Sequence, residues 1–226
     1  NEFGSEKSVA EGLFFDFNGV GVSSLVYGFA SIKRIVSLMK ENLVQAIKTL
    51  HEGGIVAHPT ETCYGLAADI FQKNALSKLY RLKKMPLDKP VSILVRNLEE
   101  AQRYGEFSPK AIQLALKYWP GPLTLVVPRS VGLPKGVNFN YATVGFRVSS
   151  NKKTRELVEA FGGPLTTTSA NIHGQLQSYS VQEMLDQGLV PDFVLDGGRI
   201  GENPPSTIVE VLGEEVKILR HGSLKV

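Results

Sequence analysis

Three short stretches of this chain concentrate side chains able to hold and orient a small polar ligand. The first, Leu165 to Gly174, reads Leu-Thr-Thr-Thr-Ser-Ala-Asn-Ile-His-Gly. Its apolar lead-in followed by Thr168, Ser169 and Asn171 fits a buried strand ending in a tight polar turn, with hydroxyl and amide groups at the tip. The second, His58-Pro59-Thr60-Glu61-Thr62-Cys63-Tyr64, is a polar loop between apolar flanks. The third runs from Lys83-Lys84-Met85-Pro86 to Lys89-Pro90 and reads as a cationic loop. Each has a plainer alternative: an Asx or Ser turn that only reverses the chain, or a solvated lysine face at a helix C-terminus. If the three meet at strand ends, they form a site rich in hydroxyls, an amide and ammonium groups, with no nucleophile-base pair. That inventory suits binding and orienting an anion.

The other reactive side chains point elsewhere. Cys63 is the single cysteine, which excludes an internal disulfide and a Cys-rich metal centre and fits a reducing, cytoplasmic setting. A small buried hydrophobe is its expected role ahead of a nucleophile. The four histidines show no H-x-x-x-H spacing, so no metal site is expected. His51 and Glu52 end a helix and are expected to be solvated, and His173 and His221 fall in turns. Trp119, alone before a Pro-Gly-Pro turn, is expected to anchor the core and not to stack on bases.

The elements that must position these residues alternate between helix and strand. With 226 residues, 42% hydrophobic and 21% charged, the chain can bury one core of α/β size. A net charge of +3 is compatible with nucleic acid or with an anionic small molecule and decides between neither. Residues 1–36 lack a clean period, begin with Asn-Glu-Phe-Gly-Ser, and read as a tag or poorly ordered N-terminal extension, with Met39 as a candidate native start. Their apolar run is too short and too glycine-broken for a membrane span. From there to the end, 37–226, one domain is expected. Leu43, Ala46, Ile47 and Leu50 give helical spacing over 37–52, closed by Gly53-Gly54. A strand follows at 55–57, then a helix capped by Asn74 and running to Lys84. Further strands are expected at 91–95, 123–127, 143–148, 193–195, 207–212 and 216–219, with helices at 98–104, 108–118, 151–161 and 180–187. Asn151 is the cap candidate of its helix, and Ser108-Pro109 marks a helix start with proline in its first turn. This order predicts a single α/β domain with a twisted mixed sheet and flanking helices around a concave site.

Four segments carry a resemblance. Gly54 to Leu66 with its Pro-Thr-Glu-Thr-x-Tyr-Gly-Leu core, Lys83-Lys84-Met85-Pro86, Trp119-Pro120-Gly121-Pro122-Leu123-Thr124 and Thr168-Ser169-Ala170-Asn171 occur in the order and spacing of the YrdC/Sua5 family. The resemblance covers roughly Glu41 to the C-terminus. It implies a YrdC-like fold and a threonylcarbamoyl-AMP synthase, a nucleotidyltransferase that joins L-threonine, bicarbonate and ATP with release of pyrophosphate. The product feeds the N6-threonylcarbamoyl modification of adenosine 37 in tRNA, through downstream threonylcarbamoyl-transfer machinery. By similarity, Thr60, Thr62, Tyr64 and Ser206 surround the threonine and Arg147 clamps its carboxylate. Lys83, Lys84, Lys89, Thr143, Ser169, Asn171 and Arg220 hold the nucleotide, with Lys83, Ser169 and Asn171 central to the chemistry. Mg²⁺ is implied with ATP and not by any ligand cluster, Glu61 being the nearest carboxylate.

The chain departs from the family in two places. Met85 stands where the lysine motif usually has arginine, and Leu176-Gln177-Ser178 stands where a serine commonly follows Gly-x-Pro. The chain's extent after Arg220 fits the short YrdC-like or the YciO-like branch. The alternative reading is therefore a YciO-like module that binds RNA or nucleotide without synthase activity. A relative of the hydrogenase-maturation proteins, acting on carbamoyl phosphate, is a weaker third.

Overall fold

The computed structural model describes Ser37 and residues 40–226. The expected N-terminal extension and Met39 lie outside the described residues. Glu41–Val226 form one compact unit; Asn1–Lys40 form another, of which only Ser37 and Lys40 are described.

The first helix, α1 (40–51), leads through Gly53-Gly54 into β1 (Val56–His58). Next come β2 (Gly65–Ala67), α2 (Lys73–Leu82), β3 (Ser92–Leu94), α3 (Leu98–Gln102) and α4 (Pro109–Tyr118). They are followed by β4 (Leu123–Pro128), β5 (Thr143–Arg147), α5 (Lys152–Phe161), β6 (Leu165–Ser169), α6 (Val181–Asp186), β7 (Phe193–Val194), β8 (Thr207–Leu212) and β9 (Glu215–Arg220). The strands form a nine-stranded sheet in the order β7-β1-β2-β6-β3-β5-β4-β8-β9. It is mixed as expected: β1/β7, β3/β5 and β4/β8 are parallel and the other neighbours antiparallel.

Local chemistry explains the helix starts. Ser108, Asn151 and Ser180 each accept the backbone N–H of the third residue on, namely Ala111, Thr154 and Glu183, so each occupies an otherwise orphaned donor. The sequence-based cap at Asn74 is corrected: α2 starts after Gln72, whose side chain makes no cap bond and instead reaches the carbonyls of Leu50 and His51 and the Asp69 carboxylate. Strand β2 was not expected at all. It is three residues long and directly follows the polar loop, so only its pairing with β1 and β6 reveals it.

The pleat sorts the side chains. Ile93, Leu123, Leu125, Val127, Val144, Phe146, Val209 and Val211 lie on one face of β3, β5, β4 and β8 and pack with Ala101, Ala111 and Ala115 of α3 and α4. Alternate residues of the same strands, Ser92, Thr124, Arg147 and Ile208, must point the other way, and all four line one cavity. Around β1 and β2 both faces are apolar: Ala57 and Leu66 meet α2 and α6 residues, while Val56 and Ala67 meet α1 and α5 residues. Helices therefore cover both faces there and leave the site at the half of the sheet with one bare face.

Candidate active site

The cavity on that bare face has a volume of about 170 Å³. Its floor is Ser92, Thr124, Thr167, Arg147 and Ile208. Its walls come from the 60–65 loop, Thr168-Ser169, Gln177, Pro205-Ser206 and Arg220. Among the sequence-derived candidates, Thr60, Thr62, Tyr64, Arg147, Ser169, Ser206 and Arg220 meet here. Ser92, Thr124, Thr167 and Gln177 were given no role beforehand. For Ser92 and Thr124 the usable signal is alternation, each being the polar residue between apolar neighbours of a strand, whereas Thr167 lies between two other threonines and carries no such signal.

The 60–64 loop is built by its own hydroxyls. Thr60 Oγ1 donates to the Cys63 carbonyl (2.6 Å) and accepts the N–H groups of Thr62 (3.1 Å) and Cys63 (3.2 Å). With its hydrogen thus engaged, Thr60 accepts from the Thr62 hydroxyl at 3.0 Å, and Thr62 in turn accepts from Arg147 Nη2 at 3.0 Å. Thr60 is therefore a turn-former behind Thr62. Tyr64 lines the cavity with its body, but its hydroxyl faces Asp196 Oδ1 (2.9 Å) and the Gly198 carbonyl (2.8 Å) and accepts Gly197 N–H (2.8 Å).

Two guanidinium groups face the cavity. Arg220 donates through Nε and Nη2 to the Ser206 carbonyl (3.1 and 2.8 Å) and through Nη2 to Ser206 Oγ (2.9 Å), while Thr124 Oγ1 lies 3.0 Å from that same Oγ. Arg147 is buried, and its Nε has no partner. Its Nη2 also lies 3.0 Å from Glu61 Oε1, near enough for an ion pair although that oxygen accepts no aligned hydrogen bond. Burial pushes the Glu61 carboxyl up, but Arg147 and a hydrogen bond from Ser149 outweigh it, so its pKa lies below the ordinary value.

Lys83 and Asn171 stand behind the cavity wall. Lys83 Nζ donates to the carbonyls of Ser169 and, at 2.8 Å, of Asn171. Burial lowers its pKa to about 8. Asn171 Nδ2 donates to the carbonyls of Ile172 (2.9 Å) and Gln175 (2.8 Å), which leaves the buried Oδ1 without a partner. Ser178 is fully buried and ties the turn down by donating to the Ala170 carbonyl at 2.8 Å. Lys84, Lys89 and Thr143 do not line the cavity. Lys84 and Lys89 are exposed on the connection after α2, and Thr143 starts β5 at the end remote from Arg147, opposite Pro128. Met85 is partly buried against the cluster that contains Leu79 and Ile172.

His58 closes the rear of the loop. Thr154 Oγ1 donates to the Pro59 carbonyl, so His58 Nδ1 must be the donor to Thr154 Oγ1 at 2.9 Å. Its Nε2 is then a bare, buried lone pair, and burial lowers the pKa to about 4. A Cβ on Gly65 would stand 2.9 Å from that nitrogen, so the close approach of β2 to His58 requires glycine.

A cavity of this size falls below the ~300–1,000 Å³ typical of pockets for drug-sized ligands. With two guanidinium groups and several hydroxyls it suits a small carboxylate-bearing molecule, the planar Arg fork being matched to a carboxylate. A wider groove of about 570 Å³ adjoins it and shares Gln177 and Pro205. Among the described residues no group of three His, Cys, Asp or Glu could hold a metal ion. The nearest carboxylate, Glu61, is engaged with Arg147 and Ser149.

Comparison with known proteins gives the same grouping. The family described as "Telomere recombination" (Sua5, YciO and YrdC) matches residues 48–222. The threonylcarbamoyl-AMP synthase of Vibrio cholerae is 34% identical over 186 residues, covering 80% of this chain and 98% of that protein. The crystal structure of Pyrococcus abyssi Sua5 complexed with L-threonine aligns with a TM-score of 0.75 at 30% identity, covering 81% of this chain and 54% of that one. Escherichia coli YciO aligns with a TM-score of 0.72 at 27% identity, covering 80% of this chain and 88% of that one. This chain thus spans about half the length of the archaeal Sua5.

Proposed function

The chain belongs to the Sua5/YciO/YrdC family, and from that premise we propose that it is a threonylcarbamoyl-AMP synthase: a nucleotidyltransferase making threonylcarbamoyl-AMP and pyrophosphate from L-threonine, bicarbonate and ATP. The observation that carries this reading is the small cavity in which the two arginines Arg147 and Arg220 meet the hydroxyl-bearing Thr62 and Ser206. The threonine-bound Sua5 relative supports an amino acid as the ligand.

In this reading Arg147 takes the threonine carboxylate, with Thr62 and Ser206 beside it. Thr60 and Tyr64 shape the wall. Ser169 and Arg220 lie on the nucleotide side, with Lys83 and Asn171 holding the Ser169-Ala170-Asn171 turn. Lys84, Lys89 and Thr143 reach the nucleotide only outside the cavity. The threonine amine adds to the bicarbonate carbon and water leaves, giving the N-carboxylate (carbamate); a carbamate oxygen then attacks the α-phosphate of ATP, and the bond to the β-phosphate breaks to release pyrophosphate. Substrates supply every nucleophile, so positioning carries the rate, an effect that reaches about 7–11 kcal/mol in favourable intramolecular cases. The described residues do not build a resident Mg²⁺ site; Mg²⁺ would accompany ATP as part of the substrate complex and neutralise phosphate charge. The product would pass to tRNA through transfer machinery that acts downstream.

The test is pyrophosphate release from ATP with bicarbonate and Mg²⁺, with and without L-threonine, with serine as control. Threonine-dependent release accompanied by the mass of threonylcarbamoyl-AMP is expected. No release from a folded sample, together with salt-dependent RNA binding, would overturn this reading in favour of an RNA-binding module.

A further inference from the structure

Behind the cavity wall lies a second layer of charge that the reaction itself does not call for. Glu61 projects from the 60–64 loop but does not line the cavity. One carboxylate oxygen lies 3.0 Å from Arg147 Nη2, and the other accepts the Ser149 hydroxyl. Ser149 is buried and its Oγ also accepts the N–H of Asn151, the residue that caps α5. The Glu61 backbone is fixed as well, its carbonyl accepting Asn203 Nδ2 at 3.0 Å. The carboxylate is therefore held by two groups at and just after the end of β5, Arg147 and Ser149, and the backbone behind it by Asn203.

Its geometry toward Arg147 is unusual. The 3.0 Å approach is that of an ion pair, yet Oε1 accepts no aligned hydrogen bond, while Nη2 donates to Thr62. Glu61 thus offsets the cost of a buried guanidinium without occupying Nε. We infer that Glu61, braced by Ser149, is a positioning residue that fixes the guanidinium plane of Arg147 where this residue lines the cavity, poised for the carboxylate of an amino-acid ligand. The ligand identity rests on the function proposed above; the bracing does not. Charge alone would act in the opposite direction, because a carboxylate beside Arg147 repels an anionic ligand. The sign of the effect of removing Glu61 is therefore diagnostic.

Two measurements separate the claims. The first needs no ligand: the side-chain Nε–H resonance of Arg147 in the folded protein, assigned by its loss in Arg147→Lys. Slow solvent exchange is expected in the wild type, and at least tenfold faster exchange in both Glu61→Gln and Ser149→Ala. Unchanged exchange in both folded variants would overturn the inference. The second is calorimetric titration with L-threonine. Glu61→Gln is expected to raise the dissociation constant about tenfold while changing that of a non-hydrolysable ATP analogue less than twofold, and to add less than twofold in an Arg147→Lys background. Tighter binding, equal losses for both ligands, or the same loss in both backgrounds would overturn it. If wild-type protein binds no threonine but the exchange result holds, the function fails and the bracing of Arg147 stands.

Discussion

The Lys83 ammonium donates to the carbonyls of Ser169 and Asn171, and a neutral amine still carries two N–H groups for the same two acceptors. Its pKa of about 8 therefore does not imply that the turn opens in mild alkali. The sign of the linkage follows. The folded pKa lies below the ordinary 10.5, so between about pH 8 and 10.5 the unfolded chain binds the extra proton and stability rises with pH. Lys83→Met should abolish that rise. At pH 7 it should also lower stability by about 1–3 kcal/mol, the cost of leaving a buried carbonyl unpaired, and reduce threonine-dependent pyrophosphate release at least tenfold. Urea unfolding at pH 7 and pH 10 checks the first two. Arg147→Lys is expected to raise the Michaelis constant for threonine at least tenfold and that for ATP much less, because lysine cannot copy the planar fork. Equal losses for both substrates would assign Arg147 to the fold. Residue type and motif made Thr62, Arg147, Ser206 and Arg220 legible in advance. They could not show that Lys83 turns inward onto backbone carbonyls while Lys84 and Lys89 stay in solvent. A run of lysines carries charge but no direction.

Among the elements, β2 is the narrowest fit. Gly65 pairs with His58 on one side and Ser169 on the other, and an added methyl would meet the His58 ring at 2.9–3.0 Å. His58 is buried and held through Thr154, so it cannot swing away. Gly65→Ala should cost about 1–3 kcal/mol, the usual range for overpacking, with a drop in activity because Gly65 also lines the cavity. Thermal unfolding together with pyrophosphate release would check both. Elements with local signals were readable from sequence: a Ser or Asn before a helix marks its start because the bond it makes spans three residues. Strand β2 and the true start of α2 were not. The first depends on partners as distant as Thr168 and Ser169, and the second on Gln72 bonding to α1 instead of capping its own helix.

At the scale of the whole molecule, acid is expected to weaken the fold through His58 before it reaches the carboxylates. The folded pKa of about 4 lies below the ordinary 6.5 because burial disfavours the cation, with Arg147 opposing and Glu61 favouring charge. Above pH 6.5 both states are neutral at this site. As pH falls toward 4 the unfolded chain takes up a proton that the native state refuses, at about 1.4 kcal/mol per unit, for a loss of up to about 3 kcal/mol. Urea unfolding at pH 7.5 and 4.5 should register most of that loss in the wild type and little of it in His58→Gln. The Glu61 pair acts in a lower window: its depressed pKa adds stability above the ordinary carboxylate value that disappears as pH falls further.

The cavity draws its lining from β2, β3, β4, β5, β6, β8 and β9 and from the loops beside them. Thr60 and Arg220 face one space across 160 residues of chain, so the lining cannot form piecemeal. During synthesis, a ribosome that has delivered every strand except β9 has produced a chain with most of its core but an unfinished cavity. Ligand capture should therefore switch on late and abruptly with chain length, after compaction has occurred, and stalled nascent chains of graded length would display the two events as separate thresholds.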